Sequence, residues 1–212
     1  MIKFIDAQFV ITAVEPKGYP PGHSAEVAFV GRSNVGKSSM INALTGRRKL
    51  VRVSNTPGRT RTLNFFDVDL ERDGERHRVR LADLPGYGFA KASKGERASW
   101  EKMITTYLEK RDRLEAVVSI IDAEVGPTPE DLLTLDYLQD KKRRVLVVAT
   151  KIDRLTKAKR KPRLQALAQQ LSLPLEAVLP FSATEKIGVE EVWETLLKTF
   201  KGVTRLGVDP VR

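Results

Sequence analysis

The most informative stretch of this chain reads Gly31-Arg32-Ser33-Asn34-Val35-Gly36-Lys37-Ser38. It matches the pattern G-x-x-x-x-G-K-[ST], in which glycines let the backbone curl until successive N–H groups point at a bound anion. The apolar residues 27–30 before it predict a buried strand, and residues 37–44 predict a helix whose N-terminus adds unpaired donors. We expect Lys37 to reach the β- and γ-phosphates of a nucleotide and the Ser38 hydroxyl to bind Mg²⁺. The stretch therefore indicates a phosphate-binding loop.

A second motif, Asp83-Leu84-Pro85-Gly86, follows the strand-like residues 79–82. Asp83 is expected to contact Mg²⁺ through water, and the Gly86 N–H to face the γ-phosphate. The motif comes after the phosphate-binding loop in the chain, in the order that a nucleoside triphosphatase needs.

A third motif, Thr150-Lys151-Ile152-Asp153, ends the apolar residues 145–149 and indicates a guanine site. Asp153 can accept hydrogen bonds from both N1–H and the exocyclic amine of guanine, while the Lys151 stem lies over the ring. Adenine offers neither donor in that arrangement and would leave a buried carboxylate unpaired, so we expect GTP to be preferred over ATP. Thr150 occupies a position where asparagine is commoner. Because threonine lacks the amide, we expect a modestly weaker affinity for the nucleotide.

A fourth motif, Phe181-Ser182-Ala183, follows the strand-like residues 178–180 and can cap the guanine O6 with a backbone N–H. All four motifs lie at the C-terminal ends of predicted strands, which is where open α/β sheets bind ligands.

Alternating strands and helices predict an α/β fold of the P-loop NTPase type, a three-layer sandwich with a mostly parallel sheet. A hairpin signal at Asp73-Gly74 predicts one antiparallel strand at the sheet edge. Pro162 predicts the first turn of a helix, with residues 156–161 as a basic loop before it. We expect a domain over residues 25–200, with an N-terminal extension at 1–24 and a loose tail at 201–212.

Four phrases of the sequence together resemble the EngB (YihA/YsxC) GTPases, bacterial relatives of Era, EngA and the septins. They are residues 28–39, 56–60, 83–88 and 150–153, and the resemblance extends over most of the chain. It implies a GTP-binding protein and GTPase that acts in assembly of the large ribosomal subunit, with a link to cell division and septation. The alternative is a septin-like nucleotide-bound scaffold in which hydrolysis is incidental.

The resemblance also implies a switch loop that closes over the γ-phosphate in the GTP state. Its members in this chain are Gly58, Arg59, Thr60, Arg61 and Thr62. Thr60 matches the family position for a second Mg²⁺ ligand, with Thr62 as the competing candidate. Relatives with asparagine at the position of Asn34 can use it to help hold K⁺, so Asn34 either does this or only braces the loop.

Tyr87 follows Gly86, where many GTPases have a glutamine that orients the attacking water. A phenol cannot do this from the same stem. We therefore expect slow unassisted hydrolysis, at about 10⁻³ s⁻¹ or below.

Composition narrows the class of protein further. The 212 residues contain no cysteine, which excludes a disulfide framework and a cysteine nucleophile. With neither a long apolar run nor a signal peptide, we expect a soluble cytoplasmic protein, a monomer. The net charge of +10 is concentrated in residues 47–61 and 141–163. These stretches indicate an RNA-binding surface, with a merely solubilising face as the alternative.

Overall fold

The computed structural model describes residues 2–22, 24–47, 49–51, 62–87, 94–200 and 204–205. The strands in this part are β1 (Ile2–Ala13), β2 (Ala25–Gly31), β3 (Leu63–Arg72), β4 (Glu75–Asp83), β5 (Leu114–Asp122), β6 (Val145–Thr150), β7 (Val178–Pro180) and β8 (Thr204–Arg205). The α-helices are α1 (Lys37–Leu44), α2 (Lys94–Lys110), α3 (Pro129–Asp140), α4 (Lys157–Gln170) and α5 (Val189–Thr199). In these described ranges, no helix is both long and apolar enough to span a bilayer.

The strands form one sheet in the order β1-β3-β4-β2-β5-β6-β7, with β8 paired to β4. Strands β4, β2, β5, β6 and β7 are parallel, whereas β3 runs antiparallel to both of its neighbours. Alternate residues of β2 point to opposite faces: Val27 and Phe29 pack against α1 and α5, and Ala28 and Val30 pack with α2 and α3. The predicted three-layer α/β fold with a mostly parallel sheet is confirmed.

The N-terminal residues are part of the sheet. The sequence predicts an extension at residues 1–24, whereas residues 2–13 form β1 and pair with β3. Phe4 and Ala7 pack in the core beside α1 and α5, while Ala13 packs in the opposite core. The register shift between Phe4 and Asp6 puts Phe4 and Ala7 on the same face. The shift between Phe9 and Ile11 moves Ala13 to the opposite one. Strand β3 has the predicted antiparallel direction but lies inside the sheet, because β1 covers its outer edge.

The predicted hairpin is confirmed. Asp73 and Gly74 connect β3 to β4 with φ angles of 53° and 83°, a left-handed conformation at both positions that suits a two-residue hairpin loop. Within the predicted tail, residues 204–205 are described and form β8, which pairs with β4. Strand β2 pairs with β4 only from Val79 onward, which leaves residues 77–78 of β4 for β8.

The prediction that Pro162 begins a helix is wrong. Helix α4 begins at Lys157 and contains Pro162, and the Lys159 N–H donates to the Thr156 carbonyl at 2.8 Å in the first turn. Proline has no N–H to donate. The helix continues nevertheless, because Leu167 and Ala168 on its inner face pack in the core under β6 and β7.

Candidate nucleotide-binding site

The predicted phosphate-binding loop connects β2 to α1. Gly36 caps α1 with φ at 103°, in the left-handed region that favours glycine. A Cβ at this position would meet nothing closer than Thr150 Oγ1 at 3.6 Å, so the backbone angle and not lack of space requires the glycine. Asn34 is also left-handed, with φ at 63°. The loop therefore adopts the curled backbone that its sequence predicts.

The sheet brings the four motifs to one edge. Strands β2, β4 and β6 are parallel and end at Gly31, Asp83 and Thr150, which places their carboxyl ends side by side. Backbone hydrogen bonds join the first two motifs directly. The Ser33 N–H donates to the Tyr87 carbonyl at 3.0 Å, and the Tyr87 N–H donates to the Gly31 carbonyl at 3.3 Å.

Gly86 packs tightly against the phosphate-binding loop. A Cβ at this position would lie 3.1 Å from the backbone nitrogen of Ser33, which is closer than almost all such contacts. A side chain here would push the loop and the Asp83 motif apart, so close approach of the two backbones requires this glycine.

Lys37 and Asp83 form an ion pair at the start of α1. Their side chains are only 10% and 3% exposed, so each neutralises a largely buried charge on the other. Ser38 is the next residue of α1 and is half-buried. A hydroxyl and a carboxylate are the hard oxygen donors that Mg²⁺ prefers, so the residues present fit this ion.

The Tyr87 side chain is hydrogen-bonded to helix α3. Its hydroxyl donates to Oδ1 of Asp131 in α3 at 2.6 Å, and only 8% of the residue is exposed. Burial and the adjacent Asp131 carboxylate raise the pKa of Tyr87 well above its usual value. Asp131 is itself fully buried and also accepts from the Thr128 N–H at 2.8 Å. The phenol therefore links the end of the Asp83 motif to the first turn of α3.

The base-recognition motif is hydrogen-bonded to the phosphate-binding loop. The Thr150 hydroxyl donates to the Val35 carbonyl at 2.6 Å, and the Lys151 ammonium donates to the Asn34 carbonyl at 2.8 Å. Threonine lacks the amide of asparagine but keeps a side-chain hydroxyl. The structure shows that its hydroxyl braces the loop.

Asp153 lies in a short helical turn next to the fourth motif, and its side chain is half-buried. The neighbouring Ile152 N–H donates to the Phe181 carbonyl at 3.2 Å, and the Phe181 N–H donates to the Ala149 carbonyl at 2.8 Å. Ser182 is fully buried and accepts from the Glu185 N–H at 2.9 Å. These bonds fix the loop that follows β7 beside the turn that carries Asp153.

Asp122 is a site residue that the sequence analysis missed. Asp122 ends β5 and Glu124 follows it closely, but Asp122 is only 2% exposed, whereas Glu124 is exposed and pairs with Arg154 at 3.1 Å. Asp122 Oδ2 accepts from the Lys151 ammonium at 2.7 Å, and the Arg32 guanidinium lies 3.7 Å away. Its position at the end of β5, on the same sheet edge as the motifs, was the available signal.

The ion pair with Lys151 also affects the pKa of Asp122. Burial acts to raise the pKa, but the Lys151 ammonium and the N–H groups of Val125 and Glu124 outweigh it, so the pKa lies below its ordinary value. Asp122 is therefore ionised near neutral pH and orients Lys151.

Replacing Asp122 with asparagine is expected to weaken GDP binding by about tenfold. The amide retains an acceptor for the backbone N–H groups but removes the ion pair that orients Lys151, which costs roughly 1–2 kcal/mol. Isothermal titration with GDP measures the change, and Glu124→Gln is the control because Glu124 is exposed. Equal affinities of Asp122→Asn and the parent would rule out this role for Asp122.

The predicted switch loop falls mostly outside the described residues. Gly58, Arg59, Thr60 and Arg61 belong to the part of the chain that is not described, so the choice of Thr60 as a metal ligand stays a prediction. Thr62 is described and lies half-buried just before β3.

Comparison with known proteins agrees with this geometry. The family described as "50S ribosome-binding GTPase" matches residues 26–151. A probable GTP-binding protein EngB of Myxococcus xanthus is 80% identical over 94% of this chain and 97% of its own length. Another, from an Anaeromyxobacter species, is 49% identical over 91% of this chain and 90% of its own length.

Solved structures share the fold. A probable GTP-binding protein EngB, 21% identical, matches 82% of this chain and 98% of its own with a TM-score of 0.61, a likeness of fold alone. Aquifex aeolicus Era bound to GDP and AlF4⁻ is 25% identical over 88% of this chain and 60% of its own, with a TM-score of 0.67. Era in complex with MgGDPNP and nucleotides 1506–1542 of 16S ribosomal RNA is 26% identical over 89% of this chain and 59% of its own, with a TM-score of 0.67.

Proposed function

This chain belongs to the EngB family of GTP-binding proteins and is a GTPase, and we propose that it acts in the cytoplasm as a slow GTP-driven switch in assembly of the large ribosomal subunit. The match of residues 26–151 to a family of 50S ribosome-binding GTPases carries the proposal. The solved complex of Era with ribosomal RNA supports it by analogy. The link to cell division and septation rests on the family resemblance.

We assign the site residues to roles by the motifs to which they belong. The loop 31–36 and Lys37 bind the phosphates, Asp153 reads guanine, and residues 181–183 close over the base. Ser38 and Thr60 would hold Mg²⁺, with Asp83 acting through water. When bound, Mg²⁺ neutralises charge that develops on the phosphates. Any role of K⁺ would fall to Asn34, whose carbonyl already holds Lys151.

Slow hydrolysis follows from the place of Tyr87. Its hydroxyl is bonded to Asp131, so it is not available to orient a water at the γ-phosphate. Catalysis then relies on the phosphate-binding loop, Lys37 and Mg²⁺ until a partner adds a further group. Single-turnover hydrolysis of GTP, with and without large ribosomal subunits, measures both rates.

Among the described residues, the structure shows which basic side chains are engaged within the protein and which are free to bind RNA. Several cations of residues 141–163 are engaged within the protein: Lys141, Arg143, Arg144, Arg154, Arg160 and Arg163. By contrast, Lys157, Lys159 and Lys161 on the first turns of α4 are exposed, and the described residues offer them no ion pair. In the other basic stretch, Arg47 pairs with Asp6. We therefore propose α4 as the stronger RNA contact.

Changing Lys157, Lys159 and Lys161 to glutamate is expected to weaken binding to the large subunit at least tenfold. For each lysine that touches a phosphate, its reversal should make the log–log salt dependence of binding shallower by about 0.7–0.9. Co-sedimentation with purified subunits in the GTP, GDP and nucleotide-free states measures binding, while GTP affinity stays nearly unchanged. Reversal of Arg47, Arg48 and Lys49 tests the first stretch separately.

A matched control carries the same charge change elsewhere. Lys102, Lys110 and Lys198 are exposed and lie outside both basic stretches, so their reversal to glutamate should affect binding little. If the α4 variant and this control bound subunits equally well, the α4 lysines would be only solubilising. Nucleotide-dependent filaments without subunit binding would favour the septin-like scaffold.

A further inference from the structure

Helix α3 presents an apolar face to solvent that nothing in the described structure covers. Leu133 is 68% exposed and Leu132 is 38% exposed, and Val125 in the preceding loop is 59% exposed. The inner side of the same helix carries Leu135 and Leu138, which are buried in the core. Packing of the inner leucines in the core stabilises α3, so the exposed leucines contribute little to folding.

The charge around these leucines indicates what covers them. Helix α3 contains four carboxylates and no lysine or arginine, in a protein with a net charge of +10. Together the exposed residues form what we call the α3 face: Glu130, Leu132, Leu133, Asp136 and Asp140. Leu132, Asp136 and Asp140 follow one another at four-residue spacing and therefore lie along one stripe of the helix.

The carboxylates of the α3 face have no partner within the described part of the chain. No ion pair or hydrogen bond there reaches the side-chain oxygens of Glu130, Asp136 or Asp140, whereas other exposed acids do pair, such as Glu109 with Lys141. The face therefore offers unpaired negative charge beside apolar surface. Such a surface repels phosphates, which excludes RNA, and complements a protein segment with basic and apolar side chains.

We propose that the α3 face binds a basic, apolar segment of a partner protein. The contact needs only this face and does not rest on the proposed role in ribosome assembly. The surface is small, so we expect a weak, transient contact that electrostatic attraction accelerates.

The α3 face is also connected to the nucleotide site. Asp131, on the inner side of the first turn of α3, accepts a hydrogen bond from the Tyr87 hydroxyl at 2.6 Å. The Tyr87 backbone is in turn hydrogen-bonded to Gly31 and Ser33 of the phosphate-binding loop. A change at the γ-phosphate that moves Gly86 and Tyr87 therefore shifts the start of α3. By linkage, a partner on the α3 face then alters nucleotide affinity by the same factor.

The probe is a fluorescein-labelled amphipathic helical peptide of leucine and lysine, titrated into the full-length protein in a fluorescence anisotropy assay. We expect saturable binding that falls about tenfold or more in Leu132→Ser/Leu133→Ser, because the apolar area that two leucines bury against the peptide is removed. Asp136→Lys/Asp140→Lys should weaken binding similarly and reduce its salt dependence. Backbone amide shifts in ¹⁵N-labelled protein should cluster on α3.

Matched controls distinguish specific binding of the peptide to the α3 face from non-specific binding. Leu175 is exposed to the same extent as Leu132, so Leu175→Ser should bind the peptide like the parent. A leucine–glutamate peptide should not bind. Circular dichroism checks that each variant folds. The proposal is overturned if both α3 variants bind like the parent, if the shifts cluster elsewhere, or if polyuridylate without peptide shifts the α3 amides.

The link to the nucleotide has its own test. Peptide affinity is expected to differ between protein loaded with GDP and with a non-hydrolysable GTP analogue, and Tyr87→Phe should reduce that difference. A difference of the same size in Tyr87→Phe would show that the nucleotide acts on α3 by another route.

Discussion

Replacing Asp153 with asparagine is expected to weaken GTP and GDP binding by about 100-fold or more. The carboxylate would accept two hydrogen bonds from guanine, and bonds to a charged acceptor contribute roughly 1.5–3 kcal/mol each. An asparagine amide presents one donor and one acceptor at the same place, so it can satisfy at most one of the two guanine donors. Lys151, Thr150 and the loop 181–183 stay in place, because none of their hydrogen bonds involves the Asp153 side chain.

The change in base preference tests the role of Asp153 more specifically than the loss of affinity does. Xanthine carries an oxygen where guanine carries its amine, so the asparagine amide regains a partner and XDP should bind the variant better than the parent. Titration of the parent with GDP, XDP and ADP, repeated with Asp153→Asn, gives all the ratios needed. A parent that binds ADP as tightly as GDP would disprove the assignment of Asp153 to guanine.

Local sequence signals predicted the site because each motif encodes its own geometry. The left-handed φ of 103° at position 36 requires glycine, and the motif supplies one. The run 27–30 has the composition of a buried parallel strand. Parallel strands place their carboxyl ends at one edge of the sheet. Because each motif follows a predicted strand, we could predict that Asp83 and Thr150 lie beside the loop.

Contacts between distant residues were beyond the reach of these signals. Thr150 braces the Val35 carbonyl, and Tyr87 bonds to Asp131 across 44 positions of sequence. Strand β1 lies within the predicted extension, and its two register shifts and its packing against α1, α5 and β3 cannot be inferred from a local pattern. Such features depend on pairings that only the folded sheet creates.

Lys37→Ala is expected to reduce affinity for GDP and GTP by about 100-fold or more, because a charge-assisted hydrogen bond to phosphate is removed. The same change should also destabilise the nucleotide-free protein. Asp83 is 2% exposed and pairs with Lys37, so the variant leaves a buried carboxylate without its counter-charge. Removing one partner of such a pair costs about 3–5 kcal/mol. Urea denaturation without nucleotide and titration with GDP measure the two effects separately.

The double variant Lys37→Ala/Asp83→Asn separates the structural role of Lys37 from its role in binding. Neutralising Asp83 removes the uncompensated buried charge, so much of the stability that Lys37→Ala removes should return. Phosphate binding should not return, since no cation replaces Lys37, and the carboxylate that would hold Mg²⁺ through water is also neutralised. Recovery of GDP affinity together with stability would mean that Lys37 acts only by neutralising Asp83. A GDP affinity of the double variant below that of Asp83→Asn alone places the lysine in direct contact with the phosphates, as the G-x-x-x-x-G-K-[ST] pattern predicts.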